Sequence, residues 1–389
     1  MSDSAREVRV KEPAKDKEPL QNRVGLRRTR KGWTQQELAD LAGLSRQSIV
    51  AIESGKMAPS TAIALRLAHA LACSVEQLFW VNDDVRVLAR KIAAPHSHPS
   101  ERLALGHIGG KWVAHALPSD RTASWCVGAD GLAISDDGTT LAVDTLRPMD
   151  RLRDALLVSG CDPALSLLAA HYGERFPQHQ MTAIDASSGR ALQLLADNAV
   201  HIAGTHLRDD ATGEFNTSFV RRALPTRPTL LFRMASWQLG FVVRRGNPKA
   251  IRMAEDLARA DVRLINREPQ AGARQLLDRL LAQAGVDSAL VNGHGRSAQS
   301  HLGVAQKVAL DLADVGVAVL SAARAFGLDF LPLEDAHFDL VVPATLQGDE
   351  RVTRMLDVVG SRGFRRELAA LGGYDTTEAG HLVAEVAGA

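Results

Sequence analysis

The sequence is poor in cysteine: Cys73, Cys126 and Cys161 are the three in its 389 residues. They are odd in number, widely spaced and without a C-x-x-C pair, which excludes a disulfide framework and a thiolate zinc site as the basis of the fold. A reducing cytoplasm is the expected home. Long apolar runs are also missing. Stretches such as Val315 to Ala323 fall well short of the roughly 18 residues that cross a bilayer, so no membrane segment is expected. The start, MSDSAREVRVKEPAKDKEPLQ, lacks the apolar stretch and cleavage site of a secretory signal, which speaks against a transport carrier. Net charge is nearly absent too, with 46 basic and 45 acidic side chains. No whole-molecule field draws nucleic acid or anionic lipid, and any such attraction must be local.

Locally the charge is segregated. The first 90 residues carry 15 basic and 11 acidic side chains, a net +4 against −3 for the remainder. Most of the excess lies between Gln21 and Arg66. Composition, 46% hydrophobic and 23% charged, is that of a folded globular chain, and the length suggests two or three domains. Residues 1–20, rich in Lys, Glu, Asp and Pro, read as a disordered tail. Residues 21–83 show short helical patterns separated by turn signals and read as an all-α domain. Residues 84–150 read as a connector with a small antiparallel β element, built on KWVAHAL and on GLAISDDGTTLAVDTL with its Asp-Asp-Gly turn. Residues 151–389 alternate apolar strand candidates with helical stretches, the rhythm of an α/β domain around largely parallel sheets.

In the helical region, Thr34-Gln35-Gln36-Glu37 is a capping box, and Gly43 ends the helix it starts. Ser45 caps the next helix, in which Ile49 and Ile52 face inward while Arg46, Gln47, Ser48 and Ala51 project from its beginning and opposite side. Two short helices joined by Gly-Leu-Ser form a helix-turn-helix, whose second helix fits a DNA major groove about 12 Å wide. The stretch TQQELADLAGLSRQSIVAIESGKMAPS, with TAIALRLAHAL after it, resembles the phage-repressor (Xre/Cro) helix-turn-helix family. By that resemblance Gln35 holds a phosphate, and Arg46, Gln47, Ser48 and Ala51 face bases. Ser45 and Lys56 complete the DNA-facing set. Arg46 suits the O6 and N7 of guanine, Gln47 suits adenine, and Ala51 offers a methyl contact. Arg28 and Glu53 match an ion pair between the first and third helices. Such domains bind double-stranded, near-palindromic operators as symmetric pairs, so a homodimer is expected.

In the α/β region several apolar runs end in small or polar residues just where a helix begins: LLVSGCDPAL, TAIDASSGRALQLL, IAGTHLRD and LINREPQAGARQLLD. Helix N-termini at the ends of parallel strands make anion sites. The candidate contributors are Cys161, Asp162, Ser187, Ser188, Thr205, His206, Arg267, Arg274, Ser300 and His301. The segments AGTHLRDDATGEFN, NREPQAGARQLLD, SHLGVAQKVALDLADVGVAV and AFGLDFLPLEDAHFDLVVP resemble, in order, the periplasmic-binding-protein-like domain of molybdate-related regulators and molybdopterin biosynthesis proteins. The resemblance implies a type II binding-protein fold of two α/β lobes with the ligand in the cleft. Gln270 and Asp311 stand where related sequences often place glycine.

Each candidate has an ordinary competing role. Ser187, Ser188 and Thr205 can cap helices, Cys161 can be a small buried hydrophobe, Arg267 can pair with Glu268, Arg274 can be solvated, and His206 and His301 can be core residues. His96, His98, His107 and His115 complete no recognised metal spacing, so no metal set and no cofactor are assigned. A Cys161 nucleophile with His206 or His301 as base lacks any adjacent oxyanion-hole motif, so no enzyme is expected. The expectation is a cytoplasmic one-component transcription regulator that senses a small anion, molybdate or tungstate first. A molybdenum-cofactor precursor or other small organic anion is the alternative effector, and an enzyme of molybdopterin metabolism the alternative class.

Overall fold

A computed structural model of the chain describes residues 20–80, 86–93, 101–117 and 127–388. Residues 1–19 of the expected tail, together with His96, His98 and Cys126, lie outside the described residues. The chain divides into two compact units, Met1–Asp84 and Val85–Ala389.

The first unit holds four helices, α1 (Val24–Arg30), α2 (Gln35–Ala42), α3 (Arg46–Glu53) and α4 (Thr61–Ala70). A two-residue ladder joins its ends, β1 (Gln21–Asn22) pairing with β2 (Phe79–Trp80). The capping box at α2 is complete: the Glu37 N–H donates to Thr34 Oγ1 and the Thr34 N–H donates to the Glu37 carboxylate. Gly43 ends α2 at φ 63°, a left-handed conformation that costs glycine nothing. Ile49 and Ile52, three residues apart on α3, pack with Val24, Leu38, Ala39 and Leu67 in the unit's core.

The second unit begins with a larger β element than the sequence announced. Residues expected to form a connector with a small β element close instead into a five-stranded barrel. Its strands are β3 (Arg86–Ile92), β4 (Arg102–Ile108), β5 (Lys111–Ala116), β6 (Gly131–Asp136) and β7 (Thr140–Thr145), ordered β3-β5-β4-β6-β7. The Asp-Asp-Gly turn joins β6 to β7, Asp137 accepting from the Thr139 and Thr140 N–H groups. Closure depends on two long-range pairings of β3, parallel with β5 and antiparallel with β7. Alternating inward residues Val87, Ala89, Leu141 and Val143 fill the barrel with Leu103 and Leu105. Ile92 and Val113 join a different core, with Leu157, Leu192 and Leu195. The barrel therefore shares apolar packing with the α/β layers and belongs to their unit rather than spacing it.

After α5 (Met149–Arg153) come β8 (Leu156–Gly160), α6 (Ala164–Arg175), β9 (Met181–Asp185), α7 (Ser188–Ala196), β10 (Ile202–Thr205) and α8 (Thr217–Ala223). The chain then runs through β11 (Thr229–Val243), β12 (Leu264–Arg267), α9 (Gly272–Gln283), β13 (Ser297–Ala298), α10 (His301–Ala309), β14 (Val315–Val319), α11 (Leu320–Ala325) and β15 (Asp329–Pro343). Helices α12 (Glu350–Val359) and α13 (Arg362–Leu371) and strands β16 (Tyr374–Asp375) and β17 (Leu382–Val386) complete it.

One sheet runs β13-β12-β14-β11-β15-β10-β8-β9. Its wings, β10-β8-β9 and β14-β12-β13, are parallel within themselves. Its centre departs from the largely parallel expectation, because β11 and β15 are antiparallel partners of 15 residues each, about 50 Å of extended chain at 3.4 Å per residue. Both wings hang on these two strands, which divides the sheet into two halves. Asp311 holds φ 57°, the left-handed backbone that glycine adopts freely. Among the described residues no helix is long and apolar enough to cross a membrane.

Candidate functional site

In the first unit the start of α3 presents several of its side chains to solvent. Arg46, Gln47 and Lys56 are exposed, and Ser48 and Ala51 are half-buried. Ser45 Oγ accepts from the Ser48 N–H at 3.0 Å, which holds the helix start in place. Among the described residues no hydrogen bond or ion pair engages Arg46 or Gln47, so their polar ends are available to an external partner. Beneath them Arg28 grips Glu53 with two nitrogens, at 2.7 and 3.1 Å, and donates a third bond to the Trp33 carbonyl. Burial raises the Glu53 carboxyl, but the bonds from Arg28 and Gln35 and the arginine charge outweigh it and hold the group below its ordinary range. The Gln35 side chain, assigned by resemblance to a phosphate, donates to Glu53 at 3.0 Å. The two-fold arginine grip leaves an acceptor site free on that carboxylate, and Gln35 takes it. A shallow depression lined by Arg28, Thr34, Gln35, Gln36 and Arg46 remains at the surface.

In the second unit a cavity of about 650 Å³ is walled by both halves of the sheet and by the barrel. Residues at or next to four helix starts line it: Asp162 and Pro163 before α6, Ser187 at α7, Gln270 before α9 and Ser300 at α10. Ile92, His115 and Leu117 come from the barrel. The halves touch beside the cavity, where the Gly189 N–H donates to the Gln270 carbonyl at 3.1 Å. Arg279 of α9 also reaches Asp210 at 2.6 Å, and it pairs with Glu334.

Behind this wall lies a dense buried polar cluster. Ser188, Thr205, His206, Arg267 and His301 are at most 2% exposed, and Cys161, Asp162 and Ser187 are 3% exposed. Ser188 Oγ accepts from the His206 N–H and lies 3.8 Å from Cys161 Sγ. Arg267 donates to Glu268 at 3.1 Å and to the Gln299 carbonyl at 3.1 Å, yet its Nη1 has no protein partner. Thr205 Oγ1, Trp237 Nε1, Asp162 Oδ2, His206 Nδ1 and both nitrogens of His301 are likewise buried without partners. Burial pushes the Asp162 carboxyl up to about 7 against hydrogen bonds from the Ala164 N–H and Tyr374 hydroxyl, so it carries a donatable proton part of the time near neutrality. Burial pushes the Cys161 thiol up to about 12 and His206 down to about 3, the latter helped by the Arg267 charge.

A family profile described as "PBP superfamily domain" matches residues 169–360, and one described as "Helix-turn-helix" matches residues 26–78. The uncharacterized protein YvgK of Bacillus subtilis is 32% identical over 234 residues, 60% of this chain and 75% of that protein. The uncharacterized HTH-type transcriptional regulator YgzD of the same organism is 34% identical over 65 residues, 17% of this chain and 98% of YgzD. The chain belongs to the helix-turn-helix proteins that carry a PBP superfamily domain. Among solved structures, a putative phosphate transporter substrate-binding protein with bound phosphate, from Clostridium perfringens, aligns with 57% of this chain and 98% of its own at 11% identity and a TM-score of 0.42.

The PBP superfamily domain brings together nine of the ten residues named from sequence for its cleft. Cys161, Asp162, Ser187 and Ser300 line the cavity, while Ser188, Thr205, His206, Arg267 and His301 lie in the buried cluster. Arg274 does not join them. One turn into α9, its guanidinium turns to Asp278 at 2.7 Å and to His294, because the i,i+4 carboxylate is the nearer partner. The competing role of Arg267, pairing with Glu268, is present together with its burial. Sequence reasoning missed Trp237, whose ring lies 5.0 Å from His206 and 5.7 Å from His301. It also missed the barrel residues His115 and Ile92. No local pattern marks them, since neither profile reaches the barrel and only its docking carries them to the cavity.

Proposed function

We propose that this protein is a one-component transcription regulator. Its helix-turn-helix binds a double-stranded operator as a homodimer, and its PBP superfamily domain holds a small anion that changes operator affinity. The helix-turn-helix match and the regulator relatives support the first half, with Arg46, Gln47, Ser48 and Ala51 reading bases and Ser45, Lys56 and the α2 start near Gln35 positioning the backbone.

The observation that carries the second half is the unpartnered Nη1 of a fully buried arginine, Arg267, beside a cavity onto which four helix starts converge. Helix starts present free N–H groups and partial positive charge, and a buried guanidinium is a strong oxyanion donor. Thr205, Ser187, Ser188, Ser300 and protonated Asp162 supply further donors. A tetrahedral oxyanion such as molybdate or tungstate fits this donor set. The volume favours a second reading: about 650 Å³ is a drug-sized pocket, and apolar lining by Ile92, Leu117, Leu165 and Leu194 suits an organic anion with an apolar body, a molybdenum-cofactor precursor being one example. The enzyme reading gains no support, because burial keeps the Cys161 thiol protonated near neutral pH and so unreactive.

Regulation requires the effector to bind one arrangement of the dimer better than another, and a typical coupling of about 1–3 kcal/mol changes operator affinity roughly 5- to 150-fold. Calorimetric titration of the full chain with molybdate, tungstate, sulfate and a pterin, with and without a duplex enriched from a random-sequence pool, tests the reading. Binding of one anion with a reciprocal change in duplex affinity is the expected result. Binding of none, or of one that leaves duplex affinity unchanged, overturns it.

A further inference from the structure

Three members of the buried cluster have a chemistry that anion binding does not call for. Cys161 follows β8 and His206 follows β10, and the parallel register of these strands, Val158 beside Ile202 and Ser159 beside Ala203, sets their ends side by side. His301 comes from the other half of the sheet, as the first residue of α10. One ligating atom of each lies within 4.8 Å of those of the other two. All three are buried, at 3%, 2% and 0% exposure, and the two imidazole rings are 5.8 Å apart. Neither nitrogen of His301 has a hydrogen-bond partner, and neither does Nδ1 of His206. Buried imidazole nitrogens left unpaired are costly, and these belong to two neighbouring rings, tilted by 44°, beside a sulfur.

A thiolate and two neutral imidazoles are the donor set of a soft or borderline metal. They do not suit calcium or magnesium, which take oxygen ligands. Three protein ligands also leave a coordination position open. Glu268, bonded to Arg267, offsets that cation's nearness to a metal.

We propose that Cys161, His206 and His301 bind one thiophilic metal ion, Zn²⁺ or Cu⁺, as a clasp between the two halves of the cleft. Binding breaks the Cys161 S–H bond, forms a sulfur–metal bond and releases the proton to solvent. The site does not depend on the effector being an anion.

The test uses the full-length chain, freed of metal by a chelator, reduced and kept in a buffer without coordinating anions. Titration with Co²⁺ is expected to give a thiolate-to-cobalt charge-transfer band that saturates at one equivalent per chain and is displaced by Zn²⁺. Cu⁺ is measured by competition with a chromogenic chelator. Cys161→Ser and His301→Gln, each checked by circular dichroism, are expected to abolish the band and stoichiometric binding, and Cys73→Ser and Cys126→Ser to keep both. Ser188→Ala, which removes the hydroxyl beside the sulfur, is expected to weaken binding roughly 10- to 100-fold, as loss of a supporting group does. Two results overturn the proposal: neither Co²⁺ nor Cu⁺ binding at one equivalent, or binding that survives Cys161→Ser or His301→Gln in folded protein. Because no anion is present, failure here leaves the calorimetric test of the effector untouched.

Discussion

The recognition surface of the helix-turn-helix and the polar cluster of the PBP superfamily domain use similar side chains in opposite circumstances. Arg46 and Gln47 stand in solvent with no protein partner among the described residues, whereas Arg267 is 1% exposed and tied to Glu268 and the Gln299 carbonyl. An exposed arginine contributes to binding and little to folding. A buried one contributes to both, since its charge tolerates the interior only with partners around it. Function is therefore separable from stability in the first unit and inseparable from it in the second.

The sharpest way to break that contrast is Arg267→Ala. Removing one member of a buried ion pair typically costs about 3–5 kcal/mol, and here Glu268 is part-exposed, which puts the effect at the lower end. The full chain is expected to melt several degrees lower in calorimetry and to lose effector binding, with duplex affinity in the absence of effector unchanged. An unaltered melting temperature would show the arginine to be no more committed to the fold than Arg46.

A second large effect concerns pH. His115, whose Nε2 lies 2.7 Å from the Ala199 carbonyl, is lowered by burial to about 4, its backbone bond opposing and the Arg190 and Arg90 charges adding to the shift. Burial and the Arg351 charge lower His201 to about 4 as well. Both folded values lie below the unfolded value of 6.5, so the stability they contribute is complete above pH 6.5 and is lost as pH falls toward 4, by about 1.4 kcal/mol per unit for each group. Melting temperature followed from pH 7 to 4.5 should fall, and His115→Gln should flatten the fall. An equally steep curve in the variant would remove His115 from the account.

In the first unit, Arg46→Ala and Gln47→Ala should each remove about 1–3 kcal/mol of discrimination between the enriched duplex and a scrambled one, measured by fluorescence anisotropy. Melting should not change. A drop in stability instead would place these side chains in the fold. The smallest effect belongs to Thr34→Ala, which opens the capping box at α2 for about 1 kcal/mol without touching a base-facing residue. Its stability loss should appear with duplex specificity intact, the inverse of Arg46→Ala.

The same contrast explains what the sequence disclosed. The helix-turn-helix was legible in detail because capping, turn and recognition positions lie within one contiguous stretch, where spacing alone sets direction. In the α/β layers, parallel strands bring their carboxyl ends to one edge, so Cys161, Ser187 and Thr205 could be named from the residues that follow each apolar run. That His301 meets His206 depends on how the two halves approach, which no spacing encodes. Arg274, by contrast, turns to Asp278, an i,i+4 partner that the spacing itself offered. The barrel was illegible because its closure rests on β3 pairing with strands more than twenty and fifty residues away, and short strands with ordinary alternation do not specify which partners they choose. The bond from the Gln35 side chain to Glu53 spans eighteen residues, and local spacing does not disclose it.

The paired strands β11 and β15 carry a mechanical corollary. Neither half of the sheet ends where the other begins; both are strung on the same two ribbons, so a change of angle between them has no loose loop to absorb it. The compliant points are the irregular pairings at Arg233/Ala235 and Leu239/Gly240. At the second of these a side chain on Gly240 would press within 2.3 Å of the Leu331 carbonyl. Even a single methyl there would force the strand pairing to move, so this joint is built around glycine.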